Sequence, residues 1–128
     1  MVIVFLQTNL NYARHAQDLF LQIIEHDCGL GVAAEPYRVP DNHPCWVGDA
    51  GGSVTITLRA ASSSPIFSLV ETGDGFVAVR WRGLNVIGCY ALPNWNAKLF
   101  GYYLGGIGEC IQRCLSRLES LEFRAWST

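Results

Sequence analysis

Val2-Ile3-Val4-Phe5-Leu6-Gln7-Thr8-Asn9-Leu10-Asn11 opens the chain with five apolar residues that run into a polar tip carrying two asparagines. An apolar run of this length, bounded by polar residues, predicts a strand buried on both faces. Asn9 and Asn11 then stand at its C-terminal end, where open α/β sheets gather their binding groups. A plain structural reading competes, because Asn is also a leading helix N-cap residue. A helical pattern does follow. Ala16, Leu19, Phe20, Ile23 and Ile24 form one apolar stripe, which predicts a helix over 13–26 with Asn11 as its N-cap. Gly29 supplies the stop. Leu30 to Ala34 reads as a second strand, parallel to the first, and completes a β-α-β unit. It runs into Glu35-Pro36-Tyr37, so a second strand end carries a carboxylate.

Beyond this unit the pattern changes. Residues 36–49 hold Pro36, Pro40, Asp41, Asn42 and Pro44 and read as a loop anchored by Tyr37 and Trp46. Ser53 to Arg59 alternates Val54, Ile56 and Leu58 with polar residues, as a half-buried strand does. Short strands are expected over 66–70, 76–81 and 84–90, with turns over 60–65 and 71–75 and a tight hairpin at Arg82-Gly83. Lys98 to Arg117 reads as a helix, although Gly101, Gly105, Gly106 and Gly108 each cost it about 1 kcal/mol relative to Ala. The last eleven residues have no clear period. A β-α-β start, an antiparallel run and a closing helix predict an α/β domain with a mixed sheet and helices on one face.

Composition bounds the function. At 128 residues, half of them apolar and 16% charged, the chain is one globular domain or part of one. A net charge of −2 gives no electrostatic footprint for nucleic acid, though a bound cation can carry that charge instead. The five cysteines are odd in number and lack a C-x-x-C spacing, so they read as reduced thiols rather than a zinc site. No basic segment precedes the first apolar run, and no stretch approaches the ~20 apolar residues of a membrane span. A nuclear or cytoplasmic, non-secreted protein is expected.

Three strand ends collect polar groups: Asn9 with Asn11, Glu35, and Tyr90 with Asn94 just beyond. One carboxylate with amide oxygens and water suits a hard cation such as Mg²⁺. Such an ion polarises a phosphate, while a phenol and an amide can hold it. In order and spacing, Phe5-Leu6-Gln7-Thr8-Asn9-Leu10-Asn11, Ala34-Glu35-Pro36-Tyr37-Arg38, Gly75-Phe76-Val77-Ala78-Val79 and Cys89-Tyr90-Ala91-Leu92-Pro93-Asn94 resemble one family. It is the apurinic-endonuclease-like nuclease domain of non-LTR retrotransposons, within the endonuclease/exonuclease/phosphatase superfamily. The resemblance covers nearly the whole chain.

The resemblance implies a DNase I-like four-layer α/β sandwich and Mg²⁺-dependent nicking of one DNA strand. It implies Glu35 as the metal-binding carboxylate, Asn9 beside metal and phosphate, and Asn11 where relatives carry an Asp. Tyr90 would bind the scissile phosphate with support from Asn94. Relatives have one residue between Tyr and Pro-Asn where this chain has Ala91-Leu92, so either Tyr90 or Ala91 fits the functional position.

The chain also departs from the pattern. Leu121-Glu122-Phe123-Arg124-Ala125-Trp126-Ser127 resembles a degraded Gly-Asp-Phe-Asn-Ala-Trp-Ser, with Glu122 in place of the catalytic Asp. A misplacement near 1 Å there can cost on the order of 10²-fold in rate. No Ser-Asp-His motif follows, and His15, His26 and His43 match no catalytic position. The expectation is a single incomplete domain over 1–128, holding about the first sheet and its flanking helices. Its inner sheet face is then uncovered unless the chain dimerises through that face or the crossover helix covers it. The mean hydropathy of +0.20 agrees with such a surface. Two functions follow: a Mg²⁺-dependent DNA endonuclease domain that is inactive as this chain, or a non-catalytic remnant that binds or dimerises.

Overall fold

Phe5–Asn9 forms β1, Arg14–Asp27 forms α1 and Leu30–Ala34 forms β2, with β1 and β2 parallel in the register Phe5 to Leu30 through Asn9 to Ala34. These elements belong to a computed structural model that describes residues 5–27, 29–40, 43–59, 67–91, 95–116 and 123–127. The expected parallel β-α-β unit is therefore present. Its first strand differs in two respects. Gln7, Thr8 and Asn9 are part of the strand, and β1 lies at a sheet edge with Gln7 and Asn9 exposed, so these residues are not buried on both faces. Asn11 does not cap α1. The first helical bond runs from Gln17 N–H to the Ala13 carbonyl at 3.0 Å, while Asn11 sits at φ +53° in the preceding turn.

The remaining elements are β3 (Trp46–Gly48), β4 (Val54–Leu58), β5 (Ser68–Gly73), β6 (Phe76–Trp81), β7 (Leu84–Cys89), α2 (Ala97–Ser116) and β8 (Phe123–Ser127). They do not make one mixed sheet. One four-stranded sheet has the order β1-β2-β4-β3 and a second has the order β5-β6-β7-β8. The two lie face to face around a shared core. Leu30, Val32, Val54 and Ile56 come from the first sheet, and Val77, Val79, Trp81 and Val86 from the second. Gly88 marks a close approach of the two sheets, since a Cβ there would stand 3.1–3.3 Å from Val32, Ile56 and Val54 of the opposite sheet.

Each outer face carries one helix. Phe20 and Ile24 of α1 pack with Ala33, and the missing side chain of Gly31 is what admits them to β2. Tyr103, Cys110 and Cys114 of α2 pack on Phe76, Ala78, Ile87 and Cys89. Arg113 Nε donates to Glu71 Oε1 at 2.7 Å and ties α2 to β5. The order of layers is helix, sheet, sheet, helix, which agrees with the α/β sandwich expected from the resemblance.

This corrects the expectation of a single sheet with a bare inner face and helices on one side. The inner faces cover each other, so the ground given for dimerisation through that face falls away. The physical reason lies in β4 to β7. Alternating strands with apolar residues at one parity can bury that parity against an opposing sheet as readily as against helices, and periodicity does not distinguish the two. Strand β4 is also more buried than its alternation suggests. Thr55 and Thr57 are 0% and 1% exposed, and their hydroxyls donate to the carbonyls of Val47 on β3 (2.7 Å) and of Cys45 just before it (3.0 Å). That satisfies groups that would otherwise need water.

Strands β3 and β8 were not foreseen, and β5 runs on to Gly73 where a turn from 71 was expected. The Arg82-Gly83 hairpin is present, with φ +54° and +77°, as a type I′ turn requires. Trp46 is buried, but Tyr37 is exposed and does not anchor its loop. His15, His26 and His43 are all exposed.

Candidate functional site

Three of the strand ends named from the sequence meet at one end of the sandwich. Glu35 leaves β2 with φ +51°, its N–H donating to the Ser53 carbonyl at 2.8 Å and its own carbonyl accepting from Tyr12 N–H at 2.7 Å. Leu10 N–H bonds the Ala34 carbonyl at 2.9 Å, so the turn after β1 is laced to the end of β2. Within that turn Asn9 Oδ1 accepts from Asn11 N–H at 2.8 Å, an Asx turn that holds both asparagines beside Glu35.

Tyr90 closes the site from the other sheet. It leaves β7 with its ring in the inter-sheet core and its Oη donating to Glu35 Oε2 at 2.8 Å. This bond joins two residues 55 apart in sequence and one from each sheet. Its effect on the phenol follows. The negative carboxylate, accepting this bond, raises the Tyr90 pKa from 10.0 to about 12, with burial as the second cause. Tyr90 is therefore a neutral donor at physiological pH.

The backbone here is strained. Asn11, Tyr12 and Glu35 make up three of the four non-glycine residues with positive φ among the described residues. Such conformations cost on the order of 1–3 kcal/mol each and persist where surrounding bonds over-determine them. The Gln17 side chain adds one such constraint. Its Nε2 donates to the Arg38 carbonyl at 2.8 Å and its Oε1 accepts from Arg38 N–H at 3.1 Å, which straps the segment after Glu35 to α1.

Sequence reading missed Asp49. It is 7% exposed and accepts from Ser53 N–H (2.6 Å), Ser53 Oγ–H (2.6 Å), Val54 N–H (3.1 Å) and Gly75 N–H (2.8 Å). Gly75 in turn accepts from Tyr90 N–H at 2.7 Å, so Asp49 fixes the hairpin on which Tyr90 rests. The available signal was Asp49-Ala-Gly-Gly-Ser53, a tight-turn composition between two strands. A cleft of about 400 Å³, lined by Tyr12, Asp49, Ser53, Asp74, Gly75 and Trp95, adjoins this end.

Asn94 and Glu122 lie outside the described residues. The segment that follows Glu122 is described. Phe123 pairs with Asn85 and Ser127 with Cys89, so Phe123 and Arg124 enter β8 at the end of β7 remote from Tyr90. Five residue steps of strand separate Asn85, the partner of Phe123, from Tyr90, about 16 Å.

The donor set suits a hydrated Mg²⁺ better than a dehydrated transition metal. Glu35 Oε1 makes no bond to Tyr90, and the side chain is half-buried and reachable by water. Mg²⁺ keeps several waters and takes one or two carboxylates. Among the described residues no group of three or more His, Cys, Asp or Glu side chains could hold a metal. No helix among them is long and apolar enough to cross a membrane.

No protein-family model matches the chain, and no curated protein matches it. Among solved structures it is similar to the endonuclease domain of TRAS1, a telomere-specific non-LTR retrotransposon, with a TM-score of 0.53 at 15% sequence identity. The likeness covers 82% of this chain and 52% of that one, so this chain spans about half the length of the solved domain. At such identity the resemblance is one of fold. The chain has the two-sheet fold of a non-LTR retrotransposon endonuclease domain, over about half of that domain's length.

Proposed function

We propose that this chain is the metal- and phosphate-binding part of a DNA endonuclease domain of retrotransposon type, and that it does not nick DNA by itself. The observation that carries the reading is the Tyr90–Glu35 hydrogen bond, which puts a carboxylate and a neutral phenol together where two sheets end. Glu35, with Asn9 beside it, is the site for Mg²⁺. When bound, that ion polarises a phosphate oxygen and stabilises a leaving oxygen. Tyr90 stays protonated and donates, to Glu35 in the free protein and to a phosphate oxygen when DNA is present. Asn11 and Asn94 support the phosphate, and DNA is the partner.

Turnover also needs a group that activates water, and general acid–base groups contribute about 10²–10⁴-fold each. Glu122 is the candidate the tail offers, one methylene longer than Asp. Its neighbours Phe123 and Arg124 start a strand at the far end of β7. The second reading, a non-catalytic binding module, draws on the same hydrogen bond, because Glu35 already spends Oε2 on Tyr90.

Supercoiled plasmid incubated with the purified chain, in Mg²⁺ and in EDTA, tests the proposal, together with Mg²⁺ titration of the wild type and Glu35→Ala. The expected result is Mg²⁺ binding and DNA binding that Glu35→Ala weakens at least tenfold, without relaxed plasmid. Mg²⁺-dependent nicking lost in Glu35→Ala would show the chain to be active. Absence of both Mg²⁺ and DNA binding in folded protein would discard the nuclease-type reading altogether.

A further inference from the structure

We propose that the end of the sandwich carrying Glu35 and Tyr90 holds a groove for an unpaired DNA strand, with its bases turned in and its phosphates turned out. The inference rests on the nuclease-type reading for its choice of a nucleic acid, and adds to it the form of the DNA.

Three clefts join at this end. One of about 650 Å³ is walled by Tyr37, Arg38 and His43. It shares Asp49 and Gly51 with the cleft of about 400 Å³ beside Tyr12. That cleft in turn shares Asp74 and Trp95 with a third, of about 270 Å³, walled by Tyr102. The shared walls make one groove. Its middle section is tied to the site through the backbone, since Tyr12 N–H bonds the Glu35 carbonyl and Gly75 accepts from Tyr90 N–H.

An aromatic side chain stands in every section. Tyr37 is 54% exposed in the first, Tyr12 53% in the second and Tyr102 70% in the third. Trp95 joins the second to the third and leans on Tyr103, with 4.8 Å between ring centroids. Aromatic faces in succession suit successive bases, because every base has a π-face and such stacking tolerates any sequence. Only unstacked bases offer those faces to a protein, and a duplex keeps them inside its own stack.

Charge decides the orientation. Asp49 and Asp74 line the middle of the groove. The Asp49 oxygens are already taken by Ser53, Val54 and Gly75. Asp74 is exposed, and a carboxylate there repels a phosphate but accepts from a base amino group. Duplex binding draws on many Lys and Arg contacts to phosphate, whereas this chain has a net charge of −2 and Arg38 is the one Lys or Arg that lines the groove. A strand held by stacking, with its backbone toward solvent, meets both conditions.

Fluorescence anisotropy of the full chain in Mg²⁺, with a labelled 12-nucleotide strand and the duplex of the same sequence, tests the groove. The strand should bind at least tenfold more tightly than the duplex. Tyr37→Ala and Tyr102→Ala, both at exposed side chains, should each weaken strand binding by about fivefold or more with an unchanged far-UV spectrum. Tyr37→Phe should keep the wild-type affinity, because the ring rather than the hydroxyl is the platform. A duplex bound as tightly as the strand overturns the proposal and leaves the nuclease-type reading standing. Strand binding that both alanine variants leave unchanged does the same. Binding of neither DNA by folded protein overturns both.

Discussion

Replacing Tyr90 by Phe isolates the bond that joins the two sheets at the site. The ring stays in the core, where Tyr90 is 7% exposed, and only the Oη–H to Glu35 Oε2 bond of 2.8 Å is lost. Hydrogen bonds to charged groups contribute about 1.5–3 kcal/mol when dry. Glu35 is half-buried, so water can solvate the released oxygen and the lower end applies. Tyr90→Phe should therefore cost about 1–1.5 kcal/mol at pH 7, read as a lower urea midpoint at constant slope. The pH dependence gives a second readout. The folded-state pKa lies above the unfolded value, so this stabilisation is fully present below about pH 10 and is lost as pH rises toward about 12. Absorbance at 295 nm should show one tyrosine titrating near pH 12 in the wild type and missing from Tyr90→Phe. A double-mutant cycle with Glu35→Ala, which removes the acceptor, should give a coupling of about 1 kcal/mol. Zero coupling, with both variants folded, would refute the reasoning, since the bond would then contribute nothing to the end of the sandwich.

Asp49→Ala should cost about 3–4 kcal/mol in urea denaturation, because it strips the buried Ser53, Val54 and Gly75 N–H groups of their shared acceptor at about 1–3 kcal/mol each, partly relieved by water. A cost below about 1 kcal/mol would mean that the turn finds other partners. Gly31→Ala should destabilise by about 1–3 kcal/mol through overpacking, since its Cβ would stand 2.7 Å from Phe20 Cζ with Ile24 closer still. Thermal melts showing no change would mean that α1 is not seated on β2 as described.

Much of the site was legible because strand ends are marked locally. Strands end at Asn9 and just before Glu35 and Tyr90, and the structure brings Glu35 and Tyr90 into contact with the Asn9–Asn11 turn alongside. The β-α-β unit and the type I′ hairpin were legible for the same reason: a period of 3.6, an apolar run and two residues that accept positive φ are properties of short stretches. Asp49 was not legible. Its four bonds include one to Gly75, 26 residues away, and nothing near residue 49 announces that partner.

The sequence by itself determined the kinds of element other than β3 and β8, the polar strand ends and the resemblance that named a fold. Only the tertiary structure decided that strands β5 to β8 form a second sheet and that this sheet covers the inner face of the first. The physical reason is that alternation records which residues avoid water and not what they meet. Val77 and Val79 carry the same pattern whether a helix or an opposing sheet lies above them, and the choice is made by contacts with Val32, Val54 and Ile56, far away along the chain.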